Sequence, residues 1–203
     1  MKPLIGIIDI GACNRGSVDS ALARAGAEVT TVSDARNVRS CDALVLPGVA
    51  NFGFVAQQLD RRQLRAPLSA AVTDGMPLLG ICAGFQVLFE ASEESPLRRG
   101  LGLFSGRVRR LETPRVPHMG WNRVHPVRNS GALEGWAYFA NSFAPDECVA
   151  DAAAVTCEGG VVFASIARRG TALGVQFHPE RSGTYGAAVL KTFVASATVS
   201  YAR

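Results

Sequence analysis

No two of the five cysteines in this 203-residue chain, Cys13, Cys41, Cys82, Cys148 and Cys157, are spaced C-x-x-C, and their number is odd. A zinc site and a disulfide framework are therefore not indicated, and a reducing compartment, with the cytoplasm as the default address, is expected. No apolar run approaches membrane-spanning length. The run from Leu4 to Ile8 is cut short by Asp9 with no small-residue cleavage site behind it, so it is expected to be a core strand and not a signal peptide. No low-complexity linker or internal repeat divides the chain. Basic residues never cluster: Arg61-Arg62, Arg98-Arg99, Arg109-Arg110 and Arg168-Arg169 are only pairs, so the net charge of +4 reads as a solvated surface without nucleic acid as partner.

What remains is a globular composition, 48% hydrophobic and 19% charged, long enough to bury a core without metal or disulfide staples. A single domain over residues 1–203 is the simplest expectation. Up to Cys82, buried strands (Leu4 to Ile10, Glu28 to Ser33, Ala43 to Leu46) alternate with helices at the spacing of βαβ units. Asn14 or Ser17 caps the first helix, which ends at Gly26; Val49 to Phe54 is a loop; one helix covers Val55 to Val72, bent at Pro67; another follows Cys82 to about Glu90. The connection Gly11-Ala12-Cys13-Asn14-Arg15-Gly16-Ser17 approaches a phosphate-binding loop but lacks its lysine, so nucleotide binding is not expected. Beyond Glu90 short strand-like runs follow: Val108 to Leu111, Val116 to Val127, Ala137 to Ala144, Ala153 to Cys157, Val161 to Ala167 and Ala172 to His178, then a helix from Tyr185 to Ala197. The fold class is α/β, Rossmann-like, with a mostly parallel central sheet, helices on both faces and a strand-rich C-terminal half that extends that sheet or adds a small antiparallel one.

Chemistry concentrates at Gly80-Ile81-Cys82-Ala83-Gly84. Leu78 to Ile81 is too short for a helix and is followed at once by a helical pattern, so Cys82 sits on a sharp strand-to-helix bend. Glycine two before and two after removes the side chains that such a bend would crowd. Backbone N–H groups at the new helix's start, Ala83's among them, favour a thiolate and can hold an oxyanion. Alone, the pattern also fits a buried cysteine in an ordinary βα turn. Gly174-Val175-Gln176-Phe177-His178-Pro179-Glu180 decides the matter. In an extended segment Val175 and Phe177 face the core while Gln176, His178 and Glu180 face the other way, which lets Glu180 orient His178 toward Cys82. A Cys82–His178–Glu180 triad is the expectation.

These two motifs, with Leu46-Pro47-Gly48-Val49, resemble the class I glutamine amidotransferases over almost the whole chain. Val116-Pro117-His118-Met119-Gly120-Trp121-Asn122, Tyr138 to Phe143 and Asp9-Ile10-Gly11 with Asn14 and Ser17 are similar to the glutaminase subunits of imidazole glycerol phosphate synthases. The resemblance implies glutamine hydrolysis, with ammonia passed to a separate (β/α)₈ cyclase in a heterodimer and with neither cofactor nor metal. It implies oxyanion donors at Gly48, Val49 and Ala83, substrate contacts at Gln86 and the backbone near Asn141, Ser142 and Phe143, and a partner interface at Asn14, Ser17, Pro117, His118, Met119, Gly120, Trp121 and Asn122. Two departures stand out: Ala50 where the family loop has glycine, which raises the cost of a backbone flip, and Asn141-Ser142-Phe143 for the frequent His-Ser-Tyr. His125, Cys13, Cys41, Cys148 and Cys157 are read as structural or exposed. A free-standing cysteine hydrolase of similar fold is the competing class; it would act without a partner.

Overall fold

The computed structural model describes residues 1–11 and 15–199, so Cys13 and Asn14 lie outside the described residues. In chain order its elements are β1 (Leu4–Ile8), α1 (Arg15–Arg24), β2 (Glu28–Val32), a 3₁₀ turn (Ala35–Ser40), β3 (Ala43–Leu46), α2 (Phe52–Arg61), α3 (Arg65–Thr73), β4 (Leu78–Ile81) and α4 (Ala83–Gln86). Then follow β5 (Ala91–Ser92), β6 (Arg107–Arg110), β7 (His118–Pro126), β8 (Gly135–Asn141), β9 (Phe143–Pro145), β10 (Ala152–Glu158), β11 (Val161–Arg169), β12 (Ala172–Val175), a second 3₁₀ turn (Pro179–Arg181) and α5 (Gly183–Val199).

Among the described residues, nine strands form one sheet in the order β2-β1-β3-β4-β12-β11-β10-β7-β8. The first five pair in parallel, as the βαβ spacing requires, and the last four are added antiparallel, so the sheet is mixed, with its parallel half next to the site. The second half thus extends the central sheet, and β5, β6 and β9 also build a separate three-stranded sheet, which is mixed instead of antiparallel because β5 pairs with β6 in parallel. The side-chain period of two splits the core. Ile5, Ile7, Leu79, Ile81 and Val175 face α1 and α5, whereas Ile8, Leu44, Leu46 and Leu78 face α2, α3 and α4. Buried side chains of this kind each stabilise by about 1.5–3 kcal/mol, and the two layers together clamp the sheet between helices.

Five local expectations are corrected by the backbone. The helix expected over Val55 to Val72 is two helices, and the break precedes Pro67. At the end of α2, Gln63 N–H bonds to Asp60 O and Leu64 N–H to Leu59 O with Gln63 at φ 54°, while Pro67 sits in the first turn of α3 where its missing N–H costs nothing. Asn51 caps α2 by accepting from Phe54 N at 2.7 Å, so the helix starts inside the stretch read as a loop. The helix after Cys82 stops at Gln86 instead of Glu90, because Leu88 N–H and Phe89 N–H bond only three residues back, to Phe85 O and Gln86 O, and Glu90 N–H leaves the helix for Gly106 O. Ser17 lies inside the first turn of α1 and is not its cap. The end of α1 is as expected: Gly26, at φ 104°, donates to Ala23 O, and Ala27 to Leu22 O. The run read as one strand from Ala137 to Ala144 is divided between β8 and β9, which enter different sheets.

Candidate active site

Cys82 sits at the carboxyl end of β4 with φ 54° and ψ −114°, a conformation that costs a non-glycine residue about 1–3 kcal/mol. Three backbone bonds hold it there. Cys82 N–H continues the ladder to Val175 O at 2.9 Å, its carbonyl accepts the first helical bond from Gln86 at 3.0 Å, and Ala83 N–H donates to Gly48 O at 3.3 Å. Close approach requires the glycines: a Cβ at Gly84 would lie 1.9 Å from Leu46 O, and one at Gly174 would lie 1.9 Å from the Phe85 ring. Any larger residue at Gly84 or Gly174 would push α4, and with it the cysteine, off the sheet.

His178 follows β12 and is tied to β8 twice. Its N–H donates to Tyr138 O at 2.9 Å, and its carbonyl accepts from Ser182 Oγ at 2.6 Å while that same Oγ accepts from Tyr138 N–H at 2.9 Å. Ser182, fully enclosed, is a positioning residue that no sequence motif announced. His178 Nδ1 meets Glu180 Oε1 at 2.9 Å, with both side chains almost completely buried. The route differs from the alternation expected of an extended strand: Pro179 opens a 3₁₀ turn, and the turn brings Glu180 back to the imidazole. Burial opposes a charge on His178, but hydrogen bonds from the imidazole to Cys82 and Glu180 outweigh it and push the group up to about 10. At neutral pH the ring is thus a cation lying between the thiol and the carboxylate.

Gln176, treated in the sequence as part of the triad motif only, is wholly buried and reaches both neighbours. Its Oε1 accepts from Gln86 Nε2 at 3.0 Å, and its Nε2 lies 3.8 Å from Cys82 Sγ. Gln86 Nε2 also donates to Phe143 O at 2.7 Å, as does Asn141 Nδ2 at 3.1 Å, and Ser142 O accepts from Leu111 N–H. Within the stretch whose backbone is expected to assist a substrate, the carbonyls of Ser142 and Phe143 thus each accept a hydrogen bond from the chain itself. The cleft holding these groups measures about 380 Å³ and takes in Val49, Ala50 and the Asn141–Phe143 segment. It also contains Asn51, Glu94 and Arg181, which sequence reasoning missed. Glu94 Oε2 accepts from Phe52 N–H at 2.7 Å, a carboxylate at the positive end of α2. A Glu-Glu pair forty residues beyond the loop offers no local signal for this.

The residues from Pro117 to Asn122 lie outside the cleft, at the start of β7 and just before it. Period two divides them. Met119 and Trp121 point to solvent, 64% and 55% exposed, next to Trp136 of β8 at 57%, whereas His118 is only 4% exposed and stacks on Phe139. His118, expected at a partner interface, is enclosed by the chain itself and not presented on the exposed face; with Asn122, which bonds to Glu158 at 2.9 Å, it braces the strand from behind. Burial lowers the His118 pKa against the pull of Glu158. Arg181 stacks 4.0 Å over Tyr138, whose ring meets Trp121 edge to face, so the exposed face and the cleft are in contact through two side chains. Cys41 is buried, and burial raises its thiol, with Ser40 opposing. Cys148 and Cys157 are exposed, and His125 pairs loosely with Glu134 at 3.5 Å. Among the described residues no group of three or more His, Cys, Asp or Glu side chains is placed to hold a metal, and no helix is long and apolar enough to cross a membrane.

The family model for class-I glutamine amidotransferases matches residues 6–197. The chain is similar to proteins named imidazole glycerol phosphate synthase subunit HisH, 44% identical over 199 residues to that of Xylella fastidiosa, covering 94% of this chain and 96% of the relative. For that of Thermococcus kodakarensis the identity is 41% over 199 residues, with 94% and 98% covered. A crystal structure of a glutamine amidotransferase superposes with a TM-score of 0.78 at 20% identity, covering 96% of this chain and 98% of the other, a likeness of fold alone.

Proposed function

The chain belongs to the class-I glutamine amidotransferase family, and from that premise we propose that it is the glutaminase subunit of an imidazole glycerol phosphate synthase, working in histidine biosynthesis in the cytoplasm. The observation that carries the reading is the meeting of Cys82, His178 and Glu180 at the mouth of β4, in a chain whose relatives share that name along nearly their whole length.

Cys82 attacks the side-chain amide carbon of glutamine as a thiolate, favoured by the charged His178 beside it. His178 passes its proton to the departing nitrogen, ammonia leaves, and a thioester remains. The neutral imidazole then takes a proton from water, which attacks the thioester and frees glutamate. Glu94 and Gln86 border the cleft where the amino-acid end of the substrate would lie, the carboxylate suited to its ammonium. The oxyanion needs donors that are turned away in this conformation. Ala83 N–H is taken by Gly48 O, so rotating the Gly48–Val49 peptide would both release that donor and present Val49 N–H. A docked partner can drive such a rotation, since Val49 is exposed at the rim. The apolar face of Met119, Trp121 and Trp136 is the surface for a (β/α)₈ cyclase that receives the ammonia.

The test is reconstitution with a cyclase subunit and its phosphoribulosyl formimino substrate, comparing glutamine with free ammonia as nitrogen source. Cys82→Ala is expected to abolish the glutamine reaction and spare the ammonia reaction; equal loss of both would overturn the division of labour.

A further inference from the structure

Gln176 is wholly buried beside the cleft, a costly place for a primary amide unless its donor and acceptor are both used. Its position follows from the ladder. β12 runs parallel to β4 with Val175 opposite Ile81, so the next residues of the two segments, Gln176 and Cys82, come side by side. Period two puts Gln176 on the same face as Gly174, where a Cβ would lie 1.9 Å from the Phe85 ring. This is the face on which α4 packs, and Gln86 follows Phe85 in that helix.

One group fixes the orientation of both amides. A backbone carbonyl only accepts, and Phe143 O lies 2.7 Å from one end of the Gln86 amide, so that end is the NH₂ group. The same Nε2 lies 3.0 Å from the Gln176 amide, so the Gln176 atom facing it is Oε1. The Gln176 NH₂ is then the end that faces Cys82 Sγ at 3.8 Å. Both N–H groups of Gln86 are spent inside the protein, and what its side chain offers the cleft is the acceptor Oε1. At the sulfur, the Gln176 N–H makes a weak bond to a thiol and a charge-assisted one to a thiolate. We propose that Gln176 is a positioning residue that joins the two ends of the site: its Nε2 supports the Cys82 thiolate, and its Oε1 holds Gln86 with an acceptor turned toward the ammonium of the substrate. The second half rests on the proposed function, which sets what Gln86 faces; the first half does not. Glutamate in this place would lose the donor when ionised, and methionine would keep the shape with neither group.

The experiment compares the wild type with Gln176→Met, Gln86→Leu and the double variant. Glutamine kinetics are measured in complex with the cyclase, and iodoacetamide alkylation of the Cys82 peptide is followed against pH in each free chain by mass spectrometry. The charged groups around the cleft, His178, Glu180, Glu94 and Arg181, are the same throughout. In Gln176→Met the acid limb of the alkylation profile is expected about one pH unit higher, whether residue 86 is glutamine or leucine, and kcat about tenfold lower. KM for glutamine should rise about fivefold, and that rise should vanish in the Gln86→Leu background. An unmoved alkylation profile would overturn the proposal, as for a residue that only fills the core, and so would a KM rise that is the same in both backgrounds. Should Gln176→Met not fold, the ¹⁵N-labelled wild-type chain decides: the side-chain amide resonance of Gln176 is expected to shift along the alkylation profile of Cys82, and a constant resonance sinks the proposal. A wild-type complex unable to use glutamine would instead remove the functional reading, while the alkylation profile would still decide the bond between Gln176 and Cys82.

Discussion

The cleft and the outer face of the β7–β8 hairpin touch through Arg181 and Tyr138, yet they are built on opposite principles. In the cleft, side chains of high chemical cost are buried and tied to one another: Cys82 in a strained backbone, His178 between thiol and carboxylate, Gln86 and Gln176 sharing a hydrogen bond. On the hairpin, Met119, Trp121 and Trp136 are large, apolar and exposed, with nothing covering them. The lesson is that the groups of the cleft are positioned by the chain's own contacts before a substrate arrives, while the large side chains of the hairpin find no such contacts within the chain.

That contrast breaks most sharply at Cys82. Cys82→Ala removes the nucleophile and should cost more than 10³-fold in glutamine turnover while leaving the affinity for the cyclase unchanged, as titration calorimetry would show. Glu180→Gln comes next, with a loss of about 100-fold in kcat. It also has a signature in stability. The folded His178 lies at about 10, above its ordinary 6.5, so its contribution is fully present below pH 6.5 and is lost as pH rises through 10. Denaturant unfolding at pH 6 and pH 10 should show a smaller stability difference in Glu180→Gln than in the wild type; an equal difference would mean that the carboxylate does not hold the charge on His178.

On the other side, Trp121→Ala should weaken the complex about 30-fold, as expected of an interface tryptophan worth about 2 kcal/mol, without moving the melting temperature of the free chain. Truncating His118 should do the reverse in order of priority. Its ring is packed on Phe139 and Phe163, so His118→Ala should lower the melting temperature first and the affinity only through the strand it supports.

The two regions also differ in how far the sequence discloses them. Most of the parallel half of the sheet was legible because β1, β3 and β4 are continuous apolar runs, and the cysteine bend because two glycines frame it. His178 and Glu180 were legible as residue types, though the turn that joins them was not, since Pro179 suits an extended segment and the start of a 3₁₀ turn equally well. Ser182, Glu94 and Arg181 were missed because each acts through a long-range contact with no local pattern. The run Pro117 to Asn122 is a simpler case: the resemblance marks it as one block, whereas strand alternation puts His118 and Asn122 on one face and Met119 and Trp121 on the other.

The smallest expected effect tests whether the two regions are coupled at all. The Gly48 carbonyl that blocks Ala83 N–H must turn away before an oxyanion is stabilised, and Ala50 follows the peptide that turns. The turn changes ψ of Gly48 and φ of Val49, and where it carries the next residue into positive φ as well, the Ala50 side chain penalises that state by about 1 kcal/mol, which glycine would relieve. Ala50→Gly should therefore raise glutamine turnover of the free chain about fivefold, since that chain makes the rotation unaided. In the complex, where docking already favours the turned peptide, the gain should shrink. The cyclase's ammonia-dependent rate should not change. An equal gain in both states would place the rotation outside the partner's influence, and the exposed face would then serve to capture ammonia without activating the cleft.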